Sequence, residues 1–327
     1  MWISKFKNAN YKGFLTKLKE IAQKEGKVYL FLIIDYLFLL IFRGFAFNDY
    51  LNYELYNKNF KERRQYVSVK DQDKFYEIVS PSKYKNKFSN KSNFMRLFKD
   101  FTKRDFFDKK NSIDDLVKFL NKHDEIIIKP VDGLGGANIS KIKTKNVKNI
   151  DLFYNDVVKN NYLVEEVIKQ HKSLAEFSKS SINTIRIMTS NINNKPKVIF
   201  ATLRVGNGKS HVDNFHQGGM ASLVNIETGI ITSDAVDKNL TKYKYHPLSK
   251  KAFKGYKIPY FKETKELVLK AAKVVPEIKV VGWDIAITPN GPTIVEGNRR
   301  AGFDIIQVVS GTGRKDIIKE ILKELSK

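Results

Sequence analysis

From residue 125 onward the apolar residues no longer recur at helical spacing. They come in short runs broken by Gly, Pro, Asn and Lys turns, and this switch constrains the fold more than any other feature. EIIIKP (125–130) reads as a short strand, and VDGLGGANISKIK as a glycine-rich turn into a second strand, like a hairpin. YLVEEVI (162–168) is strand-like, and SINTIRIMTSN and KPKVIFATLRVG are two strands joined by a polar turn. MASLVNIETGIITSDAV reads as a hairpin around Glu227-Thr228-Gly229, and VGWDIAITPNGPTIVEGN (281–298) as one around Pro-Asn-Gly-Pro. The helix ETKELVLKAAKVVP, stopped by Pro276, interrupts the strands, and RKDIIKEILKEL closes the chain as a helix. Hairpins in series build antiparallel sheets, so the pattern predicts an α+β fold and not a doubly wound βαβ array.

Upstream, residues 1–78 read as a helical region, with Ser80-Pro81 as its boundary and 79–327 as the rest of the molecule. FRGFAFNDYLNYELYNKNFKERRQYV is expected as a Tyr-rich amphipathic helix with a basic exit. Residues 89–122 read as helical in two pieces, the second starting at Ser112 as N-cap with Asp115 in the capping-box position. The run VYLFLIIDYLFLLIFRGF (28–45) is interrupted by Asp35, and its uncharged stretches are too short to span a bilayer. It reads first as a buried helix and second as a helix lying on a membrane surface. No cleavable-signal pattern is present, so a cytoplasmic location is expected, with peripheral contact at the inner membrane face left open.

The 327 residues include no cysteine, which excludes disulfides and thiolate metal sites. The formal net charge is +24, nearly all from lysine, and only ten arginines are present. Such a surface favours anionic partners, namely nucleotides, acidic glycans or an anionic membrane face. No basic-aromatic motif of a nucleic-acid module is visible, and nucleic acid is not an expected partner.

Several residues carry candidate chemistry. Gly133, Gly135 and Gly136 would let backbone N–H groups approach phosphate oxygens, with Lys129 as a point charge beside them. An ordinary hairpin turn with a surface lysine is the alternative. Glu165 or Glu166 would accept from ribose hydroxyls, or else forms a solvated strand end. Asp284, Glu296 and Asn298 are hard oxygen ligands on paired strands, suited to Mg²⁺ with phosphates and water completing the shell. The alternative is a strand carboxylate bridged to Arg299 or Arg300. Arg186, Arg204 and Arg300 together suggest an anion site. His211 and His216 share a loop and are placed to touch substrate.

In order, these pieces resemble the ATP-grasp superfamily, and within it the sugar-transfer-associated branch linked to polysaccharide biosynthesis. The likeness runs from about Lys91 to Lys327, and the N-terminal helical region also looks like that branch. The resemblance implies an ATP-grasp fold of two α+β subdomains with mostly antiparallel sheets, here about 79–168 and 169–327. KFSNKSNFMRLF resembles the segment carrying the first ATP lysine, Lys91, and IIIKP supplies the second, Lys129. VDGLGG resembles the loop over the phosphates, and YLVEEVIKQH the adenine hinge with Glu165, Glu166 and Val167. SINTIRIMT gives Asn183 and Arg186, VDNFHQGGMA gives the substrate-side Asn214, His216 and Gly219, and VGWDIAI with IVEGNRR gives the metal ligands Asp284, Glu296 and Asn298. The resemblance implies ATP and Mg²⁺ as cofactors. Its function is a carboxylate–amine ligase working through an acyl phosphate, joining an amine or amino acid to a sugar acid of a surface or capsular polysaccharide. Arg300, Arg186 and Arg204 would then be catalytic. Two alternatives stand beside it: a kinase of the same fold acting on a sugar or polyol hydroxyl, and a basic glycan- or membrane-binding module with a non-catalytic ATP site.

Overall fold

A computed structural model describes residues 11–133, 138–208, 213 and 215–327. Gly135, Gly136, His211 and Asn214 lie outside the described residues, as does the side chain of His216. The chain divides into two compact units.

The larger unit comprises Ser80–Asp237 and Lys242–Ala301. Its first sheet holds β1 (Phe106–Asp108), β2 (Glu125–Pro130), β3 (Ser140–Lys143) and β4 (Tyr162–Glu166) in the order β1-β4-β2-β3. Its second holds β5 (Thr184–Ile192), β6 (Lys195–Val205), β7 (Met220–Val224), β8 (Ala235–Asp237), β9 (Lys242–Tyr243), β10 (Val280–Thr288) and β11 (Gly291–Asn298), in the order β11-β10-β5-β6-β7-β8-β9. Every pairing in both sheets is antiparallel, as the hairpin pattern predicts. The edge strand β1 lies inside the stretch expected to be helical. FFD is too short to announce itself by periodicity, and it is ordered by pairing with β4.

Strand alternation decides what each face carries. In the first sheet Ile126 and Val164 pack with Phe107 against Leu116, Phe119 and Leu120 of the helix Ile113–Lys122 and Val157 of the helix Ile150–Lys159. The opposite face carries Leu163 with Val131 and Met95, and by the same parity Lys129 and Glu165. The Ser112 cap is present as expected. Its side chain accepts from the Asp115 N–H, and Asp115 accepts in return from the Ser112 N–H.

In the second sheet Val281, Trp283, Ile285 and Ile287 of β10, Ile185 and Ile187 of β5, and Ala201, Leu203 and Val205 of β6 share one core. The intervening residues Asp284, Arg186 and Arg204 therefore point to the other face. In β11, simple alternation would send Glu296 to the same side as Ile294, into the core. A bulge prevents this: Ile285 pairs with Ile294 but Asp284 pairs with Glu296, so Val295 is an extra residue. The parity flips and Glu296 emerges beside Asp284, the re-aiming that bulges perform near functional sites. Gly297 then faces the core, where a Cβ would lie 2.9 Å from Phe94 and 3.0 Å from Trp283.

The smaller unit comprises Met1–Val79, Lys238–Thr241 and Gly302–Lys327. Residues 302–327, placed with the second subdomain on sequence grounds, group here for physical reasons. The Val67 N–H donates to Gln307 Oε1 at 2.7 Å, and the Tyr66 hydroxyl donates to the Gly311 carbonyl at 2.7 Å. The expected Tyr-rich helix is broken into Phe47–Asn52, a turn at Leu55–Asn57, and Phe60–Arg63. Gly44 and Glu54 adopt left-handed backbone, and Asn59 caps a new start with Glu62. The run 28–45 forms the helix Tyr29–Phe38 with a wider π-helical turn, Leu39–Arg43. It is not buried all round. Leu32, Tyr36 and Leu39 are buried, whereas a full outer face is exposed. Among the described residues no helix is long and apolar enough to cross a membrane.

Candidate functional site

A cleft of about 290 Å³ in the larger unit gathers Lys91, Lys129, Gly133, Glu165, Glu296, Asn298 and Arg300. Segments up to 209 positions apart in sequence thus meet, and each arrives for a local reason. Lys91 opens the helix Lys91–Leu97, which Asn90 caps through the Asn93 N–H at 2.9 Å. Its ammonium donates to the carbonyls of Pro130 at 3.1 Å and Gly133 at 2.9 Å, fastening the start of the glycine-rich turn. Gly133 has φ +147°, a backbone state that side chains resist, so it allows the turn to leave β2 at this point.

Lys129 and Glu165 point into the cleft by strand parity, and they meet at 2.6 Å. Arg104 adds a second cation at 3.5 Å. Burial pushes the Glu165 carboxyl up, but Lys129 and Arg104 outweigh it and hold it below the usual range. Lys91 is shifted down, by burial first and by the Lys129 charge second. Two ammonium groups thus share one partly buried cleft with the Glu165 carboxylate, which lies between Lys129 and Arg104.

The opposite wall carries the carboxylates. Asp284 is 4% exposed. Arg186 holds it through two hydrogen bonds, one of them from Nη2 at 2.8 Å, and Arg204 donates to it at 3.1 Å. Burial opposes its ionisation, but the two guanidiniums prevail and keep it ionised far below the ordinary range. Glu296 keeps solvent contact at the cleft mouth. Its carboxyl is pushed up, first by the loss of hydration in the cleft and then by the Asp284 charge beside it. Asn298 Nδ2 donates to Glu296 Oε1 at 3.1 Å. A clamped carboxylate, a second one raised by its neighbour and an adjacent amide oxygen form a hard-donor set that a divalent cation would relieve. Oxygen-ligated Mg²⁺ fits these residues, with Glu296 and Asn298 the more open donors and Asp284 largely committed to arginine.

Other expected site residues fall elsewhere. Arg204 is 7% exposed and spends its two terminal nitrogens on Asp284 and Asp213, the latter at 2.9 Å. It positions a carboxylate, and its Nε is buried without a partner. Arg186 and Arg204 thus share Asp284, while Arg300 lines the cleft. Asn183 is fully buried, donating to the Leu174 carbonyl at 2.9 Å and the Ser178 carbonyl at 3.1 Å and accepting from the Gly206 N–H at 3.3 Å. It stitches loops together rather than lining the cleft. Glu166 faces away from the cleft by parity, and with Val167, just past the end of β4, it lines a neighbouring cleft of about 330 Å³ with Arg104 and the β10–β11 turn. Gly219 is buried just before β7.

Sequence reasoning missed two participants, Arg104 and Asp213, and gave Arg299 a different partner. Arg104 donates to the carbonyls of Ile294 at 2.7 Å and Val295 at 3.3 Å, tying β11 to Glu165. Asp213 accepts from the Thr184 N–H at 2.9 Å and anchors Arg204. Arg299 donates to the Ser80 carbonyl at 3.0 Å, and burial followed by the Arg300 charge lowers its pKa.

The family model described as sugar-transfer associated ATP-grasp matches residues 51–323. No curated protein matches the chain. Among solved structures, the chain is similar to the ATP-grasp ligase PsnB complexed with minimal precursor, at 15% identity and TM-score 0.46, covering 76% of this chain and 64% of that one. D-alanyl-alanine synthetase A from Vibrio cholerae matches at 12% identity and TM-score 0.42, over 74% of this chain and 66% of that one. N5-carboxyaminoimidazole ribonucleotide synthetase from Thermotoga maritima matches at 11% identity and TM-score 0.45, over 79% and 56%. The chain thus spans less than two thirds of the length of PsnB.

Proposed function

Since the chain belongs to the sugar-transfer associated ATP-grasp family, we propose that it is an ATP- and Mg²⁺-dependent carboxylate–amine ligase. One observation carries the reading. The cleft sets two ammonium groups, Lys91 on backbone carbonyls and Lys129 on Glu165, across from the hard donors Glu296 and Asn298, with Asp284 beside Glu296. That is the polarity of a site for a metal-bound polyphosphate.

In this reading Lys91 and Lys129 hold the phosphates, Gly133 lets the turn approach them, and Glu165 keeps Lys129 oriented. Glu296 and Asn298, with Asp284 behind, would hold Mg²⁺, which when bound neutralises phosphate charge. Arg300 stabilises charge on the transferred phosphoryl group, and Arg186 and Arg204 act indirectly by fixing Asp284. A substrate carboxylate oxygen attacks the γ-phosphorus, and the bond to ADP breaks. An amine then attacks the acyl carbon of the acyl phosphate, loses a proton, and inorganic phosphate departs. The loop containing Asn214, His216 and Gly219 is our proposal for the substrate side. A sugar acid of a surface polysaccharide is the substrate class we favour, on the strength of the family description.

The test uses candidate sugar acids with ATP and hydroxylamine in place of the amine. A ligase consumes ATP to ADP and accumulates a hydroxamate, because only an activated carboxyl can form one. A stable phosphate ester without hydroxamate would replace the ligase by a kinase, and release of pyrophosphate would exclude both.

A further inference from the structure

The helix Tyr29–Phe38 and its π-helical extension are apolar on two sides, and only one side is covered. Leu30, Phe31, Ile34, Phe38, Ile41 and Phe42 recur at helical spacing and are 46–68% exposed. An outward face of this kind is the reverse of the usual surface helix. Its one interior charge, Asp35, is turned inward, where Arg63 donates to it at 2.5 Å and the Tyr50 hydroxyl at 2.9 Å. The outer face therefore carries no charge at all between Val28 and Phe42.

Cations stand at both ends. Lys24 and Lys27 precede the helix, and Arg43 ends it. Arg43 also opens a groove of about 410 Å³ lined by Lys61, Arg64, Lys315 and Lys319, with no acidic residue among the described residues of its walls. Lys315 pairs with Asp71 at 2.7 Å. The groove holds one more exposed aromatic, Phe60, under the Arg64 guanidinium.

We propose that the smaller unit docks on an anionic phospholipid bilayer. The helix lies in the plane of the surface, its outer face entering the boundary between headgroups and acyl chains, while the groove takes lipid phosphates. Charge complementarity selects this occupant. A second copy of the chain, packed symmetrically face to face, would bring cationic ends together whichever way the helices ran. An anionic surface neutralises both ends at once. The helix and its extension, Tyr29–Arg43, rise only about 22 Å, short of a bilayer's hydrocarbon core, so they lie on the membrane and do not cross it.

The test is flotation of the full chain with vesicles of phosphatidylcholine alone or mixed with phosphatidylglycerol, at low and high salt, without nucleotide. Wild type should float with the mixed vesicles and be released by salt. Arg43→Gln/Lys61→Gln/Arg64→Gln should lower partitioning on the order of 100-fold. Phe31→Ser/Phe42→Ser should also abolish flotation while leaving the melting temperature unchanged, since both side chains are exposed. Failure of wild type to float with either vesicle overturns the proposal, and so does equal flotation of all three proteins. A concentration-dependent dimer in sedimentation, dissolved by the phenylalanine variant, would assign the face to a second copy instead. None of these readouts depends on the ligase reading.

Discussion

Replacing Lys129 by Met separates two things the side chain does. It removes the 2.6 Å partner of a buried carboxylate, and it removes a cation from the cleft. Truncating one member of a buried ion pair costs about 3–5 kcal/mol. Arg104 still faces Glu165 at 3.5 Å and leaves the carboxylate partly compensated, which places the loss at or below the lower end, about 2–3 kcal/mol. At about 2–4 °C per kcal/mol for a domain of this size, the melting temperature should fall by about 5–10 °C. The pH dependence identifies the cause. Glu165 has a folded pKa below its unfolded value, so its contribution is fully present above about pH 4.3 and is lost as pH falls through the lower folded value. Removing Lys129 shrinks that contribution. The gap between wild type and Lys129→Met should therefore be widest at neutral pH and narrow below about pH 4. Losing a charge-assisted contact of about 1.5–3 kcal/mol should also weaken ATP binding about 10- to 150-fold in calorimetry. A melting difference that stayed constant from neutral to acid pH would refute the pairing, and unchanged ATP affinity would refute the phosphate role.

Two further substitutions divide the metal wall. Asp284→Asn should abolish turnover and also destabilise by about 3 kcal/mol, because Arg186 and Arg204 lose a buried anion. Glu296→Gln should abolish turnover across a magnesium titration while leaving the melting temperature within about 2 °C or raising it, since the ionised side chain is disfavoured beside Asp284. Near-native activity of Glu296→Gln would remove Glu296 from the metal set. Gly297→Ala should cost about 1–3 kcal/mol by overpacking against Phe94 and Trp283; an unchanged melting temperature would show that those rings yield.

The antiparallel sheets, the Ser112 cap and the closing helix were legible because each has a local signature: a turn, a cap, a period. The sequence left Glu165 and Glu166 undivided, and strand parity in the folded sheet separates them. Val164 belongs to the helix-backed face, and Glu165, one residue on, must face the cleft. What was not legible depended on distant partners. FFD becomes a strand only beside β4, and Arg104 is one cation in a basic chain until β11 supplies carbonyls for it. Asp213 has no marker in a polar loop. The Tyr-rich segment has helical periodicity, but Glu54 enters left-handed backbone and Asn59 restarts the helix, and periodicity does not register either event.

The hairpin β10–β11 shows why the most informative residues were also the most ambiguous. Asp284 on an apolar strand had two readings, a metal ligand or a carboxylate bridged to arginine, and the arginines expected were Arg299 and Arg300. The structure supplies a bridge from Arg186 and Arg204 on β5 and β6. Their positions follow from register, since Arg186 pairs directly with Asp284 and Arg204 lies one strand further on. The bridge and the metal are compatible because they use the carboxylates differently. The guanidiniums hold Asp284 ionised in a place where burial would otherwise protonate it. Loss of hydration in the cleft, and after it that fixed negative charge, raises Glu296, so Glu296 gains most from a cation at the cleft mouth. A sequence shows that two carboxylates are near each other on paired strands. It does not show that one is locked by the sheet so that the other is primed, and that division of labour arises from a one-residue bulge at Val295.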